Sequence, residues 1–217
     1  DIFISSEQAL KLVNRKTLLI IVDVYKQGLC ECPELIDKVK KIVVFDHHRK
    51  GVDYIENAVL TYHEPYASST CELITEMLMY VNKPIPIKQV EADSILAGII
   101  VDTKNFAFKT GIKTFEAAAF LKKKGADTIR VKKLFKNSLD CYNARANVVS
   151  NMKLYRENLA ISVLEDKVDN PLLVVAQACD ELLNIDNIVA SFVLCILNDK
   201  ISISARSFGE VNVQILS

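Results

Sequence analysis

Two compact apolar runs, residues 17–22 and 42–45, each stop on an aspartate, Asp23 and Asp46, and the stretch between them has helical spacing. No other feature constrains the fold as much. Strand, crossover helix, strand is the unit that builds a parallel sheet, because parallel strands need a long connection on one face. In the intervening stretch, residues 33–41, Leu35, Ile36 and Val39 share one face. A third apolar run, residues 58–62, precedes Glu64-Pro65. The first two thirds of the chain therefore read as alternating strand and helix, the pattern of an α/β fold.

The helices follow from their caps. Ser68-Ser69-Thr70 opens one, with Glu72 in its first turn and Leu73, Ile74, Met77, Leu78 and Val81 on one face. Pro84 and Pro86 end it. A second is expected over residues 87–100, delivering Asp102 just past its end, and a third over 114–124, stopped by Gly125. Residues 127–153 read as one long polar-faced helix leading to a second lobe. Beyond it a strand is expected over 159–164, a helix over 171–183 with Pro171 at its first position, and two strands, 189–197 and 200–205, joined at Asn198-Asp199. This second lobe is a smaller mixed α/β unit.

Charge and cysteine usage narrow the partners. Lys+Arg and Asp+Glu balance at 27 each, so no basic surplus points to long nucleic acid. No apolar run reaches the length of a membrane span. The six cysteines, Cys30, Cys32, Cys71, Cys141, Cys179 and Cys195, form no Cys-x-x-Cys pair and read as reduced thiols, with Cys30/Cys32 the one near pair.

The chemistry sits at strand ends. Asp46-His47-His48 closes the second strand, Asp23 closes the first, and Asp102 follows a helix. Reactive groups in open α/β sheets gather beyond the carboxyl ends of the strands. Singly, Asp23 or Asp102 reads most simply as a turn or cap, and His63 as an ordinary strand-end residue. Together, carboxylates and imidazoles at one edge suit manganese or a similar divalent ion better than a thiolate site would.

Four segments carry a family likeness: residues 19–23; Val44-Phe45-Asp46-His47-His48-Arg49-Lys50-Gly51; Glu64-Pro65-Tyr66-Ala67-Ser68-Ser69-Thr70; and Ala97-Gly98-Ile99-Ile100-Val101-Asp102-Thr103-Lys104. In this order they resemble the DHH phosphoesterases, closest to the GdpP branch of cyclic di-AMP phosphodiesterases. Ile203-Ser204-Ala205-Arg206-Ser207 with Gly209-Glu210-Val211-Asn212-Val213 resembles the start of the nucleotide-gripping DHHA1 lobe. The resemblance implies a DHH lobe over 1–125, a linker helix over 126–156 and a DHHA1 lobe over 157–217. It implies two Mn²⁺ ions per complete site, other divalent ions being compatible, with Asp23, His47 and Asp102 as ligands and Asp46 as a supporting carboxylate. His48 would face the substrate phosphate, and Ser204 and Arg206 would grip it. The implied reaction opens cyclic di-AMP to linear pApA. A nuclease for short oligonucleotides or linear dinucleotides is the nearest alternative, and a non-catalytic nucleotide-binding module the alternative of another class. A homodimer is compatible with the sequence, though no stretch demands one. The implied location is a cytoplasmic catalytic region, the full-length protein being held at the membrane by upstream segments.

Two departures matter. The family's first motif, His-x-x-x-Asp-x-Asp, and its closing Gly-Gly-Gly-His do not occur, and the chain stops at Ser217 within an element just beginning. Truncation at both ends is the simplest account, so this chain alone is expected to lack activity. The branch also shows Asp-Thr-His where this chain has Asp23-Val24-Tyr25. A phenol does not replace a neutral imidazole.

Overall fold

The computed structural model describes residues 2–51, 53–83 and 85–216. The chain divides into two compact units, Asp1–Phe135 and Lys136–Ser217. In the first unit, α1 (Ser6–Leu12) starts at a capping box between Ser5 and Gln8. The apolar runs then form β1 (Leu18–Val22), β2 (Lys41–Asp46) and β3 (Leu60–His63), with α2 (Glu34–Lys38) crossing between the first two. The sheet order is β1-β2-β3 and both pairings are parallel. Register places Val22 beside Phe45 and Asp46 beside His63, so all three strands finish at one edge. Ile42 and Val44 of β2 are buried with Ile21, Ile36, Val39 and Ile55. β1 is less covered, for Leu18, Ile20 and Val22 are each about half exposed.

Helix α3 (Thr70–Tyr80) is capped by the Ser69 side chain, which accepts from the Glu72 amide at 3.0 Å. It stops at Tyr80; Pro84, expected to end it, lies outside the described residues. Helix α4 (Gln89–Asp102) corrects one expectation: Asp102 is its last residue and Thr103 its C-cap, whose amide bonds to the Ile99 carbonyl. Nothing between Ile100 and Thr103 interrupts the i→i−4 ladder, so the helix runs on. Helices α3 and α4 approach closely where Gly98 meets Cys71; a Cβ at Gly98 would lie 2.3 Å from the Cys71 sulfur. Helix α5 (Ile112–Lys123) ends at Gly125, which has φ 97°.

The single helix expected over 127–153 is two. α6 (Thr128–Leu134) begins at the Asp127 cap, and α7 (Leu139–Ser150) begins at Ser138, whose hydroxyl accepts from the Cys141 amide. An N-cap serine needs extended backbone, and Ser138 has φ −65° and ψ 159°, which ends helical geometry there. The division between the units falls in this break, after Phe135.

In the second unit β4 (Lys153–Tyr155), β5 (Leu159–Leu164), β6 (Ala190–Leu197) and β7 (Lys200–Ser207) form a sheet in chain order, with only β5 and β6 parallel. The β6–β7 turn has Asn198 and Asp199 at φ 52° and 59°, the left-handed pair a tight hairpin requires. Helix α8 (Pro171–Leu182) covers the sheet with α7, and the core includes Val174, Val175, Ala178, Leu182 and Val193. α9 (Val213–Leu216) is a single helical turn where an element was expected to begin. Among the described residues all six cysteines are free and no helix is long and apolar enough to cross a membrane.

Candidate metal centre

Asp23 follows β1 directly and takes φ 64°. That left-handed conformation is uncommon for a residue with a Cβ, and aspartate tolerates it better than most. Its amide still bonds to the Phe45 carbonyl at 2.9 Å, so the residue stays anchored to β2 as the chain turns off the sheet edge. The Thr70 hydroxyl, in the first turn of α3, donates to Asp23 Oδ1 at 2.8 Å. Glu72, buried in the same turn, accepts from the Ser68 amide and hydroxyl and from the Thr114 hydroxyl of α5. The start of α3 is thereby tied to α5, and through Thr70 it holds Asp23.

Asp46 is fully buried, and its Oδ1 accepts from the amides of His47 (2.8 Å) and His48 (3.1 Å) and from His48 Nδ1 (2.7 Å). One carboxylate oxygen thus folds the turn that presents both imidazoles. Among the described residues its Oδ2 is the buried side-chain oxygen without a hydrogen-bond partner. His47 Nδ1 lies 3.3 Å from the Ala67 carbonyl. A carbonyl only accepts, so Nδ1 carries the proton and Nε2 presents its lone pair. That Nε2 is 3.6 Å from Asp23 Oδ1 and 3.7 Å from Asp102 Oδ2.

The three residues expected to share divalent ions are therefore brought together. The wider grouping is not uniform. Asp23, His47 and His48 have ligand atoms within 4.8 Å of one another, a set that includes His48 and omits Asp102. Asp102 lies beside His47 Nε2, while His48 Nδ1 is taken up by Asp46 and its Nε2 is the ring nitrogen left over. The charges agree. Burial raises the Asp102 carboxyl above its ordinary range, and the negative charge of Asp23 raises it further, against partial relief from His47, His48 and Lys109. The Cys71 thiol is pushed up to about 11 by burial and then by Asp102 and Asp23. Two carboxylates that repel each other on either side of an imidazole nitrogen make a donor set fitted to a hard or borderline divalent cation.

Ser204 and Arg206 lie on β7 in the second unit. Arg206 Nε is 3.5 Å from Asp180 Oδ1 of α8, and the guanidinium also donates to the Ala205 carbonyl at 2.9 Å. Ser204 faces α8, where its carbonyl accepts from the Cys179 thiol.

Four contributors escaped the sequence reading: the Thr70 hydroxyl, the Ala67 carbonyl, Glu72 as a buried tie rather than a dipole complement, and His63. His63 Nε2 donates to the His48 carbonyl, and its ring meets Tyr25 edge-on at 6.4 Å. The run of hydroxyls at residues 68–70 was the available signal for Thr70; only Ser69 among them is the cap. A backbone carbonyl leaves no signal at all.

Residues 3–99 match the model of the DHH family, N-terminal domain. The chain is 46% identical over 217 residues to the cyclic-di-AMP phosphodiesterase GdpP of Bacillus subtilis, covering 99% of this chain and 33% of that protein. It is 39% identical over 214 residues to the cyclic-di-AMP phosphodiesterase PdeA of Listeria monocytogenes, covering 98% and 33%. The chain thus spans about a third of the length of the curated relatives it matches. Among solved structures, an exopolyphosphatase-related protein from Bacteroides fragilis has the same fold, with a TM-score of 0.81 at 23% identity over 94% of this chain and 62% of that one.

Proposed function

We infer, for a chain that belongs to the DHH family over its residues 3–99, that it forms part of the catalytic region of a metal-dependent phosphodiesterase that opens cyclic di-AMP to linear pApA. The observation that carries this reading is the approach of Asp23 and Asp102 to His47 Nε2, at 3.6 and 3.7 Å, beside the carboxyl edge of a parallel sheet. The names of the relatives from Bacillus subtilis and Listeria monocytogenes supply the substrate. Two Mn²⁺ ions are the proposed cofactors. When bound, such ions neutralise phosphate charge and lower the pKa of a water that attacks in line.

The protein's own residues do the rest. Asp23 and Asp102 would hold the cation pair, and His47 would offer Nε2 because Ala67 keeps the proton on Nδ1. Asp46 fixes the His48 ring by Nδ1, which directs Nε2 to the phosphate, where charge builds as the leaving oxygen departs. Arg206 is the proposed phosphate grip of the DHHA1 lobe, with Ser204 beside it; Arg206 would exchange Asp180 for the substrate.

Three protein donors are too few for two ions that each take about six oxygen or nitrogen ligands. The remaining donors are proposed to come from a His-x-x-x-Asp-x-Asp segment. The test is turnover by the full-length protein with Mn²⁺, following pApA release from cyclic di-AMP with linear dinucleotide as the competing substrate. Chelator-sensitive release is expected, together with negligible release by the 217-residue chain alone. Absence of release by the full-length protein, or preference for the linear dinucleotide, would remove this reading.

A further inference from the structure

We propose that His63 is a positioning residue for the His47-His48 turn, acting through the main chain of His48; the inference rests on the proposed phosphodiesterase reading. β3 ends at His63, and register sets it beside Asp46 on β2. From there its Nε2–H reaches the His48 carbonyl. The Asp46 carboxylate already holds the His48 amide and ring Nδ1 from the other side. His48 is then pinned at amide, ring and carbonyl, and the one polar atom left for a ligand is ring Nε2.

The position of His63 is itself set. Its ring lies edge-on to Tyr25 at 6.4 Å, an aromatic contact of favoured geometry. Tyr25 is fastened in turn, since its carbonyl accepts from the Ile55 amide at 3.0 Å. The loops after β1, β2 and β3 therefore meet through one imidazole. A plain strand-end histidine facing water would make neither contact. The arrangement matters because the rings of His47 and His48 lie 4.6 Å apart and tilted, so a shift of the His48 carbonyl would turn one imidazole against the other.

The variants are His63→Phe, which keeps a ring against Tyr25 and loses the donor, and His63→Gln, whose amide N–H restores it. In the full-length protein, His63→Phe should lower kcat about tenfold with KM and Mn²⁺ affinity unchanged, the mark of misplacement rather than lost binding. His63→Gln should return kcat to within about twofold. Independently of turnover, ¹⁵N spectra of the 217-residue chain should show the His48 ring nitrogens displaced or broadened in His63→Phe and restored in His63→Gln, with His47 unaltered. Wild-type kcat and His48 spectra in His63→Phe would overturn the proposal. So would equal defects in both variants, or joint loss of Mn²⁺ binding and melting temperature, which would mark a merely structural residue. Should the unaltered protein not cleave cyclic di-AMP, the functional reading fails, and the His48 spectra still decide the role of His63.

Discussion

Helix α4 carries two aspartates in opposite circumstances. Asp93 is nearly buried and fully answered: Arg130 Nε and Nη2 donate to its two oxygens at 2.6 and 3.2 Å, and the Asp127 amide donates at 2.7 Å. The Arg130 guanidinium accordingly holds its carboxyl below the usual range. Asp102 ends the same helix, where the macrodipole is negative and an acid is disfavoured. Its leading charged neighbour is Asp23, and burial together with that charge raises its carboxyl. One aspartate joins α4 to α6 and serves stability. The other stands at a helix C-terminus opposite a second carboxylate, the reverse of a structural ion pair.

The largest expected effect tests that contrast directly. Asp102→Asn should weaken Mn²⁺ binding at least a hundredfold, measured by calorimetric titration, whereas Asp93→Asn should leave it unchanged. Thr70→Val should follow, lowering Mn²⁺ affinity by about tenfold or more, because the hydroxyl that orients Asp23 is lost.

Stability should separate the two aspartates by sign. The folded-state carboxyl of Asp93 is depressed, so its contribution is present above the unfolded value, about pH 4, and disappears as pH falls through the folded value. Asp93→Asn should therefore lower the melting temperature near neutral pH, with the difference shrinking in acid. Asp102 runs the other way: its carboxyl is raised, so its ionised form costs the metal-free fold stability once pH exceeds the folded value. Asp102→Asn should raise the melting temperature of the metal-free chain at neutral pH, and the gain should vanish in acid. Equal signs for the two variants would break the comparison.

The smallest effect concerns Cys71, whose thiol stands at about 11 partly through Asp102 and Asp23. Alkylation by iodoacetamide at mildly alkaline pH should be slow, and a few-fold faster in Asp102→Asn as more thiolate forms. An unchanged rate would mean that the Asp102 charge does not govern this thiol.

Much of the fold was legible because it rests on local rules. The apolar runs ending at Asp23 and Asp46, the cap among Ser68-Ser69-Thr70, Pro171 at a helix start, and the Asn198-Asp199 turn act over a few residues, and the chain folds as they direct. The long helix over 127–153 failed because a polar face continues in register across the break. Ser138 was available as a cap, yet the periodicity alone did not say that it would be used. Asp102 was placed beyond its helix for a related reason, since helix ends depend on which carbonyl the next amide finds.

By itself the sequence determined which residue types stand after which strands: a carboxylate, a carboxylate with two imidazoles, and a later aspartate. Only the tertiary structure decided what those groups do to one another. His47 turns Nε2 toward Asp23 and Asp102 because a carbonyl twenty residues away accepts from its Nδ1–H. Asp23 is held by a threonine from helix α3, and His48 by a histidine from the adjacent strand. Hydrogen bonds act over about 3 Å of space and take no account of distance along the chain, so strand pairing and helix packing had to exist before any of these partners could be known.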